Sequence, residues 1–406
     1  MTTKINNEHK KLNVPNLRFK EFQGEWEKCR LADVCSFFSG GTPSSSNKDF
    51  YGGNIPFIRS GELHKEETEL FITQSGYENS SAKMVEVGDL LLAMYGATSG
   101  DVAISKIKGA INQAILCIRT KHNNKFIESV WNKHVSKILV KYLQGGQGNL
   151  SADIVKRLSF SLPSLAEQEK ISHLMQLIDE RISTQNKIID KLQSLIKGIA
   201  DNILDNPLWK KTYLRSFMQF FSTNSLSWEQ LSYEEGEIRN LHYGLIHGFF
   251  TSGIKSYSLP MVKYGEMPKQ YTLCQVGDVA FADASEDTDE IGKSVEFVDT
   301  IKGDTICGLH TIHGRDIKNR TVVGFKGFAF NSRYFHNQIK RLAQGTKVFS
   351  ITANNLSSCY VYLPDVETQK VIVKLLKAYE EQLIISRMTL KQYEKQKQYL
   401  LRQMFI

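Results

Sequence analysis

A chain that repeats itself at half its own length can adopt few architectures, because each copy needs its own core and the copies need a way to meet. The segment beginning at Leu162, LPSLAEQEKISHLMQLIDERI, aligns without a gap with the one beginning at Leu363, LPDVETQKVIVKLLKAYEEQL, about half of the 406-residue chain later. Leu162-Pro163 matches Leu363-Pro364, and Gln168, Ile171, Leu174 and Glu180 match Gln369, Ile372, Leu375 and Glu381. Apolar residues then recur at heptad spacing. Ile171, Ile178, Leu192 and Ile199 form one series, with Gln185 interrupting; Ile372, Tyr379, Tyr393 and Leu400 form the other, with Ser386 interrupting at the same place. The spacing predicts two long amphipathic helices of coiled-coil type. Each starts just after Leu-Pro, where proline tolerates a helix start but not a helix interior.

The repeat continues more faintly upstream. Trp26 to Leu31 and Trp209 to Leu214 share a Trp-x4-Leu spacing, and Val87-Gly88-Asp89 before LLLA parallels Val276-Gly277-Asp278 before VAFA. A helical run ending in Gln144-Gly145 parallels one ending in Gln344-Gly345, and each precedes a polar stretch and a short apolar strand, LSFSLP or CYVYLP. The layout is therefore a globular unit at 1–161, a long helix at 162–205, a second unit at 206–362 and a second long helix at 363–406. Pro56 to Ile58, Leu90 to Met94, Ile115 to Ile118, Val279 to Ala282 and Val295 to Val298 read as strands, while Phe126 to Leu143 and Tyr334 to Leu342 have helical spacing. The polar loop Ser39 to Lys48 is longer than a minimal connection needs.

These signals give an α+β fold class: two similar α/β domains alternating with two long helices that pair as an antiparallel coiled coil, with pseudo-twofold internal symmetry. The first helix segment is net acidic and the second net basic, which agrees with their pairing. A helix of some forty residues spans roughly 60 Å, comparable to one and a half turns of DNA at about 34–36 Å each. Two basic units held apart on such a spacer would read a split site.

Composition narrows the setting. The net charge of +8 favours a polyanionic partner. Met1 to Lys11 is polar, and no stretch approaches the roughly 18 apolar residues of a membrane helix, so the expectation is a cytoplasmic chain with no membrane partner. The six cysteines lie far apart with no C-x-x-C pair, which suits scattered reduced thiols better than a disulfide frame or a zinc site.

Catalytic constellations fail one by one. Gly145-Gly146-Gln147-Gly148 follows a helix rather than a strand, so it does not make a nucleotide-binding turn. Asn206-Pro207-Leu208-Trp209 lacks the second proline of an adenine-methyltransferase signature and reads as a helix-terminating Asn-Pro. Asp365, Glu367 and Lys370 sit in one helix start, where acidic residues serve as first-turn charges. Asp283 to Glu290 imitates a calcium loop, but Ile291 and Val298 fall where ligands are required. His310 and His313 lack a third ligand in the sequence, and His242 and His247 lie elsewhere. The expectation is no catalytic residue, no metal and no cofactor in this chain.

With LPSLAEQEKI at 162–171, its degenerate partner LPDVETQKVI at 363–372, the Trp-x4-Leu openings, FIRSGEL at 57–63, VGDLLLA at 87–93, INQAI at 111–115 and DEIGKSV at 289–295, the chain resembles the specificity subunit of type I restriction-modification systems from about Val14 onward. It departs from that pattern at Thr368, where the first copy has Glu167. The resemblance implies that the globular units are target recognition domains, each reading one half of a bipartite site in double-stranded DNA across an unread spacer. It also implies that methyltransferase subunits, two per specificity subunit, dock on the helices and supply S-adenosylmethionine chemistry. Restriction subunits with translocase activity would supply ATP- and Mg-dependent steps.

Lysine and arginine should neutralise phosphates while polar side chains read base edges. The candidates are Lys48, Arg59, Lys106 and Lys108 in the first unit, with Ser44, Ser46 and Asn47 as base readers, and Lys255, Lys263, Lys293, Arg315, Lys318, Asn319 and Arg320 in the second. The eight heptad residues named above are the candidates for helix pairing and subunit docking. Two rival readings are a DNA methyltransferase or nuclease acting by itself, and a coiled-coil scaffold that binds only proteins.

Overall fold

Each long helix is entered through a two-stranded ladder that joins the opening of a domain to its last strand. In the computed structural model, which describes residues 12–143, 149–248, 253–255, 258–299 and 305–406, Glu27–Arg30 pairs antiparallel with Ser159–Leu162. Lys210–Tyr213 pairs with Tyr360–Leu363 in the same way. The Trp-x4-Leu openings thus run alongside the strands that end in Leu-Pro. The helices follow at Leu165–Leu204 and Val366–Met404.

The Leu-Pro-x4-Gln signature has a mechanical explanation. Gln168 is fully buried; its amide donates to the Pro163 carbonyl at 2.8 Å and contacts His122 Nδ1 at 3.0 Å, while its Oε1 accepts from the Asn123 backbone N–H at 3.2 Å. Gln369, 1 % exposed, donates to the Pro364 carbonyl at 3.1 Å and the Arg320 carbonyl at 3.0 Å and accepts from Val322 N–H at 3.0 Å. In both copies one side chain fastens the helix start to the loop that follows a central strand of the domain. Glu167 has no counterpart because its partners are local to the first copy. Arg18 grips it at 2.7 Å through both Nε and Nη2, and Trp26 Nε1 donates to it at 3.3 Å. Thr368 instead bonds to Asp365 at 2.7 Å.

The domains share a sheet plan. In the first, one sheet runs in the order Cys35–Ser39, Ile115–Thr120, Leu90–Ala93, Val102–Ile104, and another in the order Phe71–Ile72, Tyr51–Ile58, Gly109–Ile111, Lys83–Val85. In the second, Met218–Phe221, Thr311–Asp316, Val279–Ala282 and Ser294–Asp299 repeat the first order, with Ile254–Lys255 added at the edge. The other sheet orders Leu231–Ser232, Met261–Val262, Arg239–Leu241 and Thr305–Cys307. LLLA and VAFA are buried at every position, as continuous apolar runs must be when a strand is covered on both faces. Helices Asn124–Leu143 and Arg333–Leu342 occupy the segments with helical spacing. The Gln144-Gly145 junction and the Gly145 to Gly148 run lie outside the described residues.

Two compact units emerge: Met1–Thr184 with Thr389–Ile406, and Gln185–Met388. Each holds one domain and half of each long helix. In the first, Ile171, Met175 and Ile178 share a core with Leu400, Leu401, Met404 and Phe405, together with Trp26, Phe126 and Trp131 of the domain. Asp179 meets Lys397 at 2.6 Å and Arg181 lies over the Tyr393 ring, so the sequence direction reverses between the helix segments. In the second, Ala200 and Leu204 share a core with Ile372, Val373 and Leu376 and with Phe325 and Phe335. Among the heptad candidates Ile171, Ile178, Ile372 and Leu400 are buried, while Leu192, Ile199, Tyr379 and Tyr393 are half-buried. No helix among the described residues is long and apolar enough to cross a membrane.

A buried amide that loses several bonds leaves its partners unsatisfied, at about 1–3 kcal/mol. Gln168→Ala and Gln369→Ala are each expected to destabilise the chain by about that amount in denaturant unfolding, whereas Lys170→Ala at an exposed neighbour leaves the midpoint nearly unchanged.

Candidate nucleic-acid interface

The polar loop of the first domain is built by short-range bonds. Ser44 and Ser46 are exposed with hydroxyls 2.8 Å apart. Asn47 accepts from the Asp49 backbone N–H at 3.1 Å and so starts the turn Lys48–Phe50. Lys48 is exposed and has no carboxylate within ion-pair distance among the described residues. The other three basic candidates here are paired. Lys106 meets Glu66 and Lys108 meets Glu86, both at 3.0 Å on the surface, where such pairs are weak and exchange readily with other anions.

Arg59 is held more firmly. Its guanidinium reaches Glu62 at 2.9 and 3.1 Å and Glu69 at 3.3 Å. Glu62 is only 4 % exposed and also accepts from Thr68 Oγ1 at 3.1 Å. The Arg59 hydrogen bonds, outweighing burial, hold the Glu62 carboxyl down to about 2. Arg59 is thus the counter-ion of a buried acid, which sets the turn after the strand Tyr51–Ile58.

In the second domain Arg315 occupies a similar position. Nε and Nη2 bond to the two oxygens of Asp278 at 2.8 and 2.7 Å, and Nη2 also reaches the Leu273 carbonyl at 2.8 Å. Burial pulls Asp278 upward, but the bonds from Arg315 and His313 prevail and leave it below the usual carboxylate range. The same arrangement recurs in the first domain: Arg119 bonds Asp89 at 2.6 Å, and Arg119 and Arg315 each lie 5.0 Å over a phenylalanine ring, Phe38 and Phe221. The signal for it was the repeated Val-Gly-Asp. The pairing of each arginine with its aspartate escapes notice because the chain separating them differs in length between copies. Glycine is required in that motif, since Gly88 and Gly277 have φ of +98° and +91°.

Lys293 is half-buried against Glu290 at 3.1 Å, and Lys263 donates to the Glu229 carbonyl at 2.6 Å. Lys318, Asn319 and Arg320 occupy one exposed turn. Asp316 shapes it by accepting from the backbone N–H groups of Lys318 and Thr321, and Asn319 takes φ +51°. Neither Lys318 nor Arg320 has a carboxylate within ion-pair distance among the described residues. Lys255 lies on the strand Ile254–Lys255, and its side chain falls outside the described part. Lys48 and the Lys318 to Arg320 turn thus offer exposed cations beside side chains able to donate and accept. Sequence reasoning passed over the exposed aromatic residues Trp228, Tyr233, Tyr264 and Tyr271 of the second domain, which follow no periodicity.

A family model described as the type I restriction modification DNA specificity domain matches residues 23–194 and 308–394, more than half of the chain. The chain is 22 % identical to the type I restriction enzyme MjaVIII specificity subunit of Methanocaldococcus jannaschii, covering 93 % of each. It is 26 % identical over 194 residues to the EcoR124I/EcoR124II specificity subunit of Escherichia coli, covering 44 % of this chain and 47 % of that one. The fold is similar to a crystal structure of a type I restriction-modification system S subunit from M. genitalium, with a TM-score of 0.59 at 14 % identity over 97 % of this chain and 99 % of that chain.

Removing Arg59 would leave Glu62 buried without its counter-ion. In the native chain Glu62 is held down to about 2, so its stabilising contribution is complete above the ordinary range near 4.5 and is lost as pH falls towards 2. Arg59→Ala is expected to cost about 1–3 kcal/mol at neutral pH and to move the acid-unfolding midpoint upward in a circular-dichroism titration.

Proposed function

The chain belongs to the type I restriction-modification DNA specificity family, and from that premise we propose that it is the sequence-reading, non-catalytic subunit of such an enzyme. Each domain reads one half of a bipartite site in double-stranded DNA. Methyltransferase subunits, two per chain, would bring S-adenosylmethionine, and restriction subunits would bring ATP and Mg. The observation that carries the reading is the duplication itself: two domains with one sheet plan and one aspartate–arginine–phenylalanine brace, each fastened by a buried glutamine to its own long helix. A single-site enzyme has no need of two such modules.

Phosphate neutralisation in this reading falls to Lys48, Lys318 and Arg320, because Arg59 and Arg315 are committed to buried carboxylates. Asn47, Ser44, Ser46 and Asn319, beside those cations, would meet base edges. The helices would fix the unread gap, and deleting one heptad from both should alter its length. In this reading the chain works in the cytoplasm, beside the DNA.

Lys318→Ala with Arg320→Ala, measured as the complex with methyltransferase partners, should weaken binding to all sequences alike and reduce the slope of log affinity against log salt by about 2. An unchanged slope removes that turn from the interface. Saturable binding of S-adenosylmethionine to this chain alone would favour the autonomous enzyme, and a complex without salt-dependent DNA retardation would favour the protein scaffold.

A further inference from the structure

Two cysteines and a histidine that are scattered in the sequence converge in the second domain. Cys274, Cys307 and His313 are 8 %, 3 % and 1 % exposed, and their ligand-capable atoms all lie within 4.8 Å of one another. The two Sγ atoms are 3.5 Å apart, far beyond a disulfide bond of about 2.05 Å and close to the roughly 3.8 Å that separates two sulfurs on a tetrahedral zinc ion with Zn–S of about 2.3 Å. His313 Nε2 lies 2.7 Å from Asp278 Oδ2. Its Nδ1 is buried and has no hydrogen-bond partner among the described residues. A carboxylate that receives one ring N–H fixes the tautomer that presents the other nitrogen's lone pair, the usual outer-shell partner of a metal-bound histidine.

The first domain shows what this position holds without such chemistry. Counting from the shared Val-Gly-Asp, Cys274 corresponds to Val85. The parallel pairings Leu241 to Cys307 and Ile58 to Ile111 equate Cys307 with Ile111, and the pairings Ala280 to His313 and Leu91 to Cys117 equate His313 with Cys117. Val85, Ile111 and Cys117 are ordinary members of an apolar core. The same core position has therefore exchanged a valine, an isoleucine and a cysteine for two thiols and an imidazole, and the imidazole leaves a polar nitrogen without a partner among the described residues, at a cost.

We propose that Cys274, Cys307 and His313 bind one thiophilic d10 cation, zinc(II) above all, as its three protein ligands inside the second domain. Two thiols lose their protons to solvent as the ion enters, so two thiolates and a divalent cation leave the pocket with no net charge, and Arg315 already balances Asp278. The ion would tie the strand Thr311–Asp316 of one sheet to Thr305–Cys307 of the other and to the loop before Val279–Ala282. His310, paired with Asp283 at 3.1 Å, takes no part.

The full-length chain, purified under reductant without chelator, should carry one zinc per molecule by elemental analysis, and cobalt(II) exchanged into it should give a thiolate-to-metal charge-transfer band. Cys274→Val with Cys307→Ile, which installs the first domain's own residues, should fold with unchanged circular dichroism and lose that equivalent. Asp278→Asn, acting on the histidine, should weaken zinc binding roughly 10- to 100-fold. Zinc should also protect Cys274 and Cys307 from alkylation in the unaltered chain, with chelator removing the protection, which tests the site even if the double variant fails to fold. Failure of the reduced chain to take up zinc or cobalt, full metal retention by the double variant, or isolation of a metal-free chain with a Cys274–Cys307 disulfide would each overturn the proposal.

Discussion

A glutamine side chain shut away from water must satisfy a carbonyl and an amide or the fold bears the loss, and the two copies solve this identically. Gln168 and Gln369 each turn back to the carbonyl of the proline one turn earlier and across to the loop that follows a central strand of the domain. The bond to proline is available because the strand ends there and the helix begins. The bond to the loop makes the helix start part of the domain. Everything the duplication achieves rests on that joint, since a reading module can be positioned by a long helix only if it cannot swivel on it. The antiparallel ladders Glu27–Arg30 with Ser159–Leu162 and Lys210–Tyr213 with Tyr360–Leu363 close the same joint from the other side.

This part of the molecule was also the most legible in the sequence, for a physical reason. Leu-Pro, the glutamine and the heptad residues act within a few turns of one another, so their spacing in the chain is their spacing in space. The buried central strands were visible too, because LLLA and VAFA have no polar face to offer water. Much of the sheets was not visible. Most of their edge strands are only two or three residues long, and the parallel pairings, one in the first domain and two in the second, join segments far apart, so register is set by packing that leaves no local pattern.

The candidate site divides along the same line. Arg59 has its partner Glu62 three residues on, within FIRSGEL, and could have been recognised as a counter-ion there. Arg315 could not, because Asp278 reaches it only across the sheet. The cysteine and histidine cluster is the extreme case: the histidine nearest His313 in the sequence, His310, takes no part, and the residues that meet it arrive on a different strand and a loop. Spacing rules for metal sites detect ligands that share a turn, not ligands brought together by sheet register. Divergence between the copies concentrates in such places. The brace and the joint are retained, while the core beside the brace holds Val85, Ile111 and Cys117 in one domain and two thiols and an imidazole in the other.

The central claim is that the two domains read independently, one half-site each. Exchanging residues 27–161 for the corresponding domain of another family member, and mapping methylated adenines in a genome that expresses the chimera with its methyltransferase partners, tests it most directly. The account predicts that one half of the recognised sequence changes while the other half and the gap stay as they were. A chimera that altered both halves together, or that methylated the original sequence unchanged, would contradict it.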